Sequence, residues 1–475
     1  MKISINNFKT IKELKDLEIK PLNVISGVNS SGKTSFIQFL LLLKQTLEAK
    51  AANRPLIFNS EEYVKLGEYS EVVYDKRKEN NISFDIGFTE NEISFSELEF
   101  LKIKGCNINV VYSLLENDTV IQTLEFKYST PEFIKKEHWI KFTKSGDSKY
   151  VYETNTAVFN AEFEQVYINN ESNQPGGDLS FIAFMPQLFV TEINNPNYPE
   201  IDKNPLKKIS IEPKTKELQA LLEKYFDELS YIGPLREIPK DSYSPNKNNN
   251  NIGAKGQYAA YFLETEGLRE INYYKIEDIK NESIQYKLSR GSLADAVKYW
   301  ICDVLQLAKE IKTEEYKDEF IVKIVNHFGI ETTIKHVGFG ISQILPIIVE
   351  GLRMVDTGIL ILEQPEIHLH PKIQSSLFDF LNSLIISGKK IIVETHSAEF
   401  ITRMRRRIAE DSSNTLVGKV NLIFVEEDES EHIFKELDLS ESGSLSYFPK
   451  DFIEQSEIDY RAIVKAQALK RQNKK

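Results

Sequence analysis

The run GVNSSGKT, Gly27 to Thr34, places two glycines, a lysine and a hydroxyl in the spacing GxxxxGKT. Glycines let backbone N–H groups curl around phosphate oxygens, and a helix N-terminus behind them adds partial positive charge. Gly27, Asn29, Ser30, Ser31, Gly32 and Ser35 are the predicted cradle; Lys33 can reach the β- and γ-phosphates and Thr34 can ligate Mg²⁺. A second run, LILEQPEIHLHP from Leu360 to Pro371, is an apolar strand ending in Glu363, Gln364, Pro365 and Glu366. Glu363 suits a Mg²⁺ partner, whereas Gln364 stands where a carboxylate would take a proton from water. In KKIIVETHS, His396 follows another apolar strand, the end at which open α/β sheets bind ligands. A lone histidine is more often structural, and it is the company of two other strand-end motifs that favours phosphate contact. In HVGFGISQILP, Gly338, Phe339 and Gly340 lead to Ser342 and a helix predicted to begin near Gln343. Such a turn is either a second anion site or an ordinary N-capped helix. Together the motifs predict binding of a purine nucleoside triphosphate with Mg²⁺.

The elements that must carry these residues are legible as patterns. Residues 1–75 read as strand, strand, glycine-rich turn and a helix with Phe36, Leu40, Leu43 and Leu47 on its apolar stripe, the N-terminal part of an α/β core. Residues 76–213 read as an antiparallel β-rich insert, NISFDIGF and TVIQTLEFKY among its strands, followed by a connecting loop over 191–213. Residues 214–256 return to the core through a helix, the strand at YIGPLRE and the flexible run SPNKNNNNIGAKG. Residues 257–350 are predicted as a helical lobe, with 257–315 mostly helical. Residues 351–475 return to α/β with GILILE, KKIIVET and VNLIFVEE, the continuous apolar strands of a buried parallel sheet.

The 475-residue chain has ample apolar content for a large core, and only two cysteines, Cys106 and Cys302, which argues against a disulfide framework or a cysteine zinc site. Its longest apolar runs are far below the ~20 residues of a membrane helix, so a soluble, cytoplasmic protein is expected. A net charge of −12 excludes a generally basic nucleic-acid surface and leaves two local basic spots, Met404–Arg407 and KRQNKK at the end of the chain. His368 and His370 with Glu366 and His396 suggest a metal set, but a turn after an acid-tipped strand is the stronger reading.

These motifs, in this order, resemble the ABC-type ATPase superfamily: phosphate loop, signature turn, Walker B strand and switch histidine follow one another as in SMC-like, RecF-like and OLD-like ATPases. LEQPEIHLHP with THS, YIGPLRE, NIGAKGQY, INNFKTIKEL and SLSYFPKDFIEQ are similar to the OLD-like branch. The nearest likeness is to the stand-alone ATPase subunits of bacterial anti-phage pairs, such as the Septu system, whose ATPase works with an HNH nuclease, and the PARIS system. The resemblance implies an ABC-type P-loop ATPase head of mixed sheet. Lys33 and Thr34 match its P-loop pair, Glu363 the Mg²⁺-coordinating acid and Gln364 the catalytic-base position. His396 matches the switch histidine, Ser342 in its Gly340-containing turn the signature serine, and His370 falls near a dimer-contact aspartate. It further implies a homo-oligomer with ATP sandwiched between subunits, slow hydrolysis because Gln364 replaces the usual glutamate, and a role as sensor or scaffold controlling a separate nuclease or effector. The alternative it leaves is a RecF- or SMC-like DNA-repair clamp that binds DNA. OLD nucleases carry a nuclease domain after the switch histidine; here only one strand and two short helices are predicted there, so cutting would belong to a partner.

Overall fold

The computed structural model describes residues 1–27, 32–52, 54–90, 92, 105–129, 137–145, 149–154, 158–159, 165–166, 176–192, 206–210, 213–246, 250–279, 283–428, 431–447 and 462–467. The chain divides into two compact units: Met1–Ile19 with Thr34–Leu229, and Lys20–Lys33 with Ser230–Lys475. Strands β1 (Lys2–Phe8) and β2 (Ile11–Glu18) belong to the first unit and β3 (Leu22–Gly27) to the second; α1 (Lys33–Ala49) starts where the chain passes from one to the other.

The rest of the first unit is a short helix α2 (Tyr69–Val72) and strands β4 (Ile82–Thr89), β5 (Gly105–Leu115), β6 (Asp118–Ser129), β7 (His138–Ser145) and β8 (Lys149–Thr154). Then come the two-residue pair β9 (Val158–Phe159) and β10 (Gln165–Val166), β11 (Gly176–Ile182), β12 (Met185–Glu192), β13 (Leu206–Ser210) and helix α3 (Pro213–Asp227). Ten strands form one sheet in the order β13-β12-β11-β8-β7-β6-β5-β4-β1-β2. The strict alternation of buried and half-buried residues along β4 and β5 is the signature of a sheet with one face on the core. Phe39 of α1 packs edge-on against Phe8 and Phe84, and Phe84 against Phe184, each at 5.5 Å between centroids.

Among the described residues this sheet is the antiparallel β insert that the sequence predicts, and it corrects two expectations. β1 pairs with β4, so the opening strand MKISINNF joins the antiparallel sheet rather than the α/β core, and the connector expected between it and PLNVISG is the strand β2, paired with β1. β1 and β2 each bury only part of their residues, Ile11, Leu14 and Leu17 in β2, whereas β3, buried at all six positions, goes to the parallel sheet. Leu206–Ser210, expected as loop, is the edge strand β13 paired with β12; 193–205 and 211–212 lie outside the described residues.

The second unit is built on the sheet β14-β20-β21-β3-β22-β23, where β14 is Leu229–Ile232, β20 Ile359–Glu363, β21 Lys390–Glu394, β22 Val420–Asp428 and β23 Glu431–Leu437. β20, β21, β3 and β22 run parallel. Helices α4 (Ala259–Thr265), α5 (Leu293–Lys298), α6 (Phe339–Arg353), α7 (Pro371–Ile386), α8 (Ala398–Glu410) and α9 (Thr415–Lys419) complete it. Local chemistry starts the long ones: His370 caps α7 through Lys372 N–H with Pro371 at the first helical position, and the Ser397 hydroxyl accepts from Phe400 N–H at 3.0 Å.

The expected helical lobe differs. Residues 270–292 form a hairpin of β15 (Glu270–Ile279) and β16 (Ser283–Ser292), and β17 (Glu310–Tyr316), β18 (Glu319–Val325) and β19 (Glu331–Thr333) form a three-stranded sheet. The tyrosines and isoleucines of EINYYKIEDI and SIQYKLSRGS are β-formers whose pairing outweighs the apparent helical period. The segment after His396 holds a second strand, β23, beyond the one expected. Among the described residues no helix is long and apolar enough to cross a membrane.

Candidate functional site

The parallel strands of the second unit end in chemistry. Glu363 closes β20 and faces Glu394, its register partner at the end of β21, whose other neighbour is β3 with the phosphate loop behind it. Gly27 at φ 148° and Gly32 at φ 85° hold backbone conformations that only glycine takes without strain. Asn29, Ser30 and Ser31 lie outside the described residues.

Lys33 is buried, and its ammonium donates to the Gly27 carbonyl at 3.2 Å. Burial holds its pKa below the ordinary range, and Glu394 pulls it back up. Thr34 and Ser35 follow in the first turn of α1, on the first-unit side of the division; the buried Ser35 hydroxyl lies 2.8 Å from that of Thr10.

Glu363 is 6% exposed. Burial, then the neighbouring Glu394 carboxylate, push its pKa up to about 7, against a hydrogen bond from Tyr231 and the charge of Arg236. The Tyr231 hydroxyl donates to Glu363 Oε1 at 2.8 Å. Two buried acids side by side at strand ends call for a cation. Among the described residues no three or more acids, histidines or cysteines are arranged to hold a metal alone. This donor set fits Mg²⁺ arriving with phosphate oxygens, since that ion takes one or two protein carboxylates and keeps the rest of its shell from substrate and water.

Gln364 follows in the left-handed region at φ 44°. Its N–H donates to the Glu394 carbonyl at 2.7 Å, and its carbonyl accepts from Arg236 at 2.9 Å. Glu366 turns back so that one carboxylate oxygen accepts the His396 N–H at 2.7 Å. Burial raises the pKa of Glu366. The His396 ring is exposed, and loss of part of its hydration, then the Lys33 charge, lower its pKa. Its imidazole is therefore neutral near pH 7 and able to donate or accept.

The signature turn is placed differently from expectation. Gly338 is the N-cap, and α6 begins at Phe339, four residues before Gln343. Gly340 and Ser342 thus lie in the first turn of the helix. Ser342 is buried, with its hydroxyl donating to the Phe339 carbonyl at 2.7 Å. Phe339 is exposed and its ring lies 5.9 Å from that of His368, which is itself at φ 62°.

Tyr231, Arg236, Glu366 and Glu394 are the participants that spacing did not assign. YIGPLRE and VETHS were legible as motifs, but the hydrogen bonds that give these residues work join positions over a hundred apart for Tyr231 and Arg236. Of the basic run Met404–Arg407, Arg405 donates to the Gly443 carbonyl at 2.8 Å, Arg406 pairs with Glu410 and Arg407 with Asp379. The lysine-rich end of the chain, 470–475, lies outside the described residues.

Comparison of the sequence with curated proteins found no match. Solved structures similar to this chain include an SMC head bound to the C-winged helix domain of ScpA, at 9% identity and TM-score 0.38, covering 92% of this chain and 98% of that one. Another is the SMC head domain from Thermotoga maritima, at 8% identity and TM-score 0.35, with the same coverages. The family described as the AAA ATPase domain matches residues 1–401, a span that takes in the phosphate loop, both buried glutamates and His396. With that match over most of its length, the chain belongs to the AAA ATPase domain family.

Proposed function

We propose that this protein binds Mg·ATP at Lys33 and the ends of β20 and β21, hydrolyses it slowly, and uses the ATP-bound state as a latch. The observation that carries the reading is the convergence of a buried lysine and two buried, in-register glutamates at the carboxyl ends of neighbouring parallel strands. Glu363 would hold the Mg²⁺, which when bound neutralises charge developing on the phosphates, and Thr34, next to Lys33 in the sequence motif, supplies the hydroxyl of the P-loop pair. The chain's own groups do the rest: Lys33 binds phosphate, Tyr231 orients Glu363, and neutral His396 offers a hydrogen bond to phosphate or water. Gln364 can orient a water but cannot take its proton.

Gln364→Glu should raise the single-turnover rate about tenfold or more, since a positioned base contributes typically 10²–10⁴-fold. Radiolabelled ATP in excess enzyme measures it. A wild type already faster than about one per second, unchanged by the substitution, would make ATP a fuel and place the base elsewhere.

The latch acts between copies: ATP bound by one subunit is covered by the Gly338–Ser342 turn of another. Ser342 is buried, so Gly340 gives the cleaner test. A Cβ added there meets Leu369 Cδ2 at 3.9 Å and the His368 carbonyl at 4.0 Å, ordinary contacts within one chain. Gly340→Arg should leave the subunit folded and ATP-competent yet abolish nucleotide-dependent self-association in sedimentation. A wild type that stays monomeric with Mg·ATP removes the shared site altogether.

The resemblance to OLD-like defence ATPases supports the finer reading: a cytoplasmic sensor or scaffold in anti-phage defence whose closed state controls a separate nuclease or effector, of HNH type or similar. A pull-down from the native host, read by mass spectrometry, tests it. Recovery of repair factors with DNA-stimulated turnover would instead favour a DNA clamp.

A further inference from the structure

Arg236 is 6% exposed, and among the described residues its hydrogen bonds all go to backbone carbonyls: Gln364 at 2.9 Å, Glu363 at 3.1 Å and Pro234 at 3.3 Å. Among the same residues its buried Nε–H has no hydrogen-bond partner. A buried guanidinium is costly unless paired, and an apolar side chain of similar volume is often as stable or more so. Such a residue serves something other than packing. What it grips is the turn after β20, and it grips it at two successive carbonyls with two separate nitrogens of its rigid planar fork, a geometry that a point-charge ammonium does not fix. The second of these belongs to Gln364, a non-glycine residue in the left-handed region, where backbone strain needs surrounding structure to hold it. Both backbone groups of Gln364 are fixed, the N–H by Glu394 and the carbonyl by Arg236. Two residues on, Glu366 holds the His396 backbone N–H.

We propose that Arg236 is a positioning residue: its guanidinium holds the left-handed turn at Gln364 and thereby sets both the Gln364 side chain and the Glu366 tie to His396. The inference rests on the ATP reading above for its kinetic consequence, but the clamp itself is a property of the chain alone. When Arg236 lets go, Gln364 relaxes, Glu366 loses its register with His396, and the acid side of the site no longer moves with the histidine side. The Arg236 hydrogen bonds go to the turn after β20 and to Pro234, so binding at Lys33 and turnover should separate.

The test compares Arg236→Lys and Arg236→Gln with wild type by amide hydrogen exchange and by single-turnover kinetics. Lysine keeps the charge and loses the fork. The expected result for both variants is at least tenfold faster exchange at Gln364 and His396, with β3 and β22 unchanged. Mg·ATP affinity should stay within about threefold while the single-turnover rate falls at least tenfold. Gln364→Gly in the Arg236→Gln background should recover part of the lost thermal stability, because glycine holds a left-handed turn unaided. Wild-type exchange and turnover in Arg236→Lys would overturn the proposal, as would exchange that accelerates evenly through the whole unit. Should the wild type fail to bind ATP, the functional reading falls, while the exchange comparison still decides the clamp.

Discussion

Replacing Lys33 with alanine is expected to weaken Mg·ATP binding by about 2–5 kcal/mol, at least tenfold and up to several thousandfold in affinity, and to abolish function in the host. Lys33 is buried, its ammonium is steadied by the Gly27 carbonyl, and Glu394 is the anion that offsets its charge. Removing it leaves triphosphate facing buried carboxylates with no nearby cation from this loop. Isothermal titration of both proteins with Mg·ATP measures the difference. Wild-type affinity in Lys33→Ala would show that GVNSSGKT is not the cradle.

Glu363 carries the second large effect, and it acts on stability. Its pKa is raised to about 7 in the folded protein, against about 4.3 for an unperturbed glutamate. The folded state therefore holds a proton that the unfolded state releases, so stability falls as pH rises between these two values. Each pKa unit is worth about 1.4 kcal/mol, so the penalty reaches about 3 kcal/mol by pH 8 and stays near 1 kcal/mol at pH 5. Glu363→Gln keeps an acceptor for the Tyr231 hydroxyl and removes the charge. Without nucleotide it should be more stable than wild type in urea unfolding, by about 3 kcal/mol at pH 8 and about 1 kcal/mol at pH 5. The same variant should lose Mg²⁺-dependent nucleotide affinity. A variant no more stable than wild type at pH 8 would mean that Glu363 is already ionised at little cost beside Glu394.

The readable parts of this molecule are those in which a local pattern has a single outcome. A mostly apolar strand such as LNVISG or ILILE has to be covered on both faces, so the buried parallel sheet and its acid-tipped ends are read directly from the sequence. The phosphate loop is readable because its glycines do a conformational task no other residue does. Partner choice is not local. β1 alternates as an edge or an insert strand would, and nothing within MKISINNF says that its partner is β4. The hairpin at 270–292 was hidden because its apolar residues also satisfy a helical spacing, and only the cross-strand pairing decides. The Tyr231 and Arg236 contacts were hidden for the same reason: a side chain's hydrogen-bond partner across 128 residues has no signature in either segment.

The interleaving of the two units bears on how the protein is made. β3 lies between β21 and β22 in its sheet, yet it is synthesised before every strand it pairs with there. At roughly 5–20 residues per second, the ribosome takes on the order of half a minute to deliver β21 after β3. Throughout that interval a strand that ends up fully buried has no partner in its sheet, while the antiparallel sheet, whose neighbours are mostly consecutive, can assemble as it emerges. Folding of the nucleotide-binding unit is thus set by long-range closure and is the slow, aggregation-exposed step of biogenesis. A fragment beginning at Ser230 would carry the acids and the switch histidine but leave β21 and β22 with raw edges toward each other, so this unit is not separable by cutting the chain once.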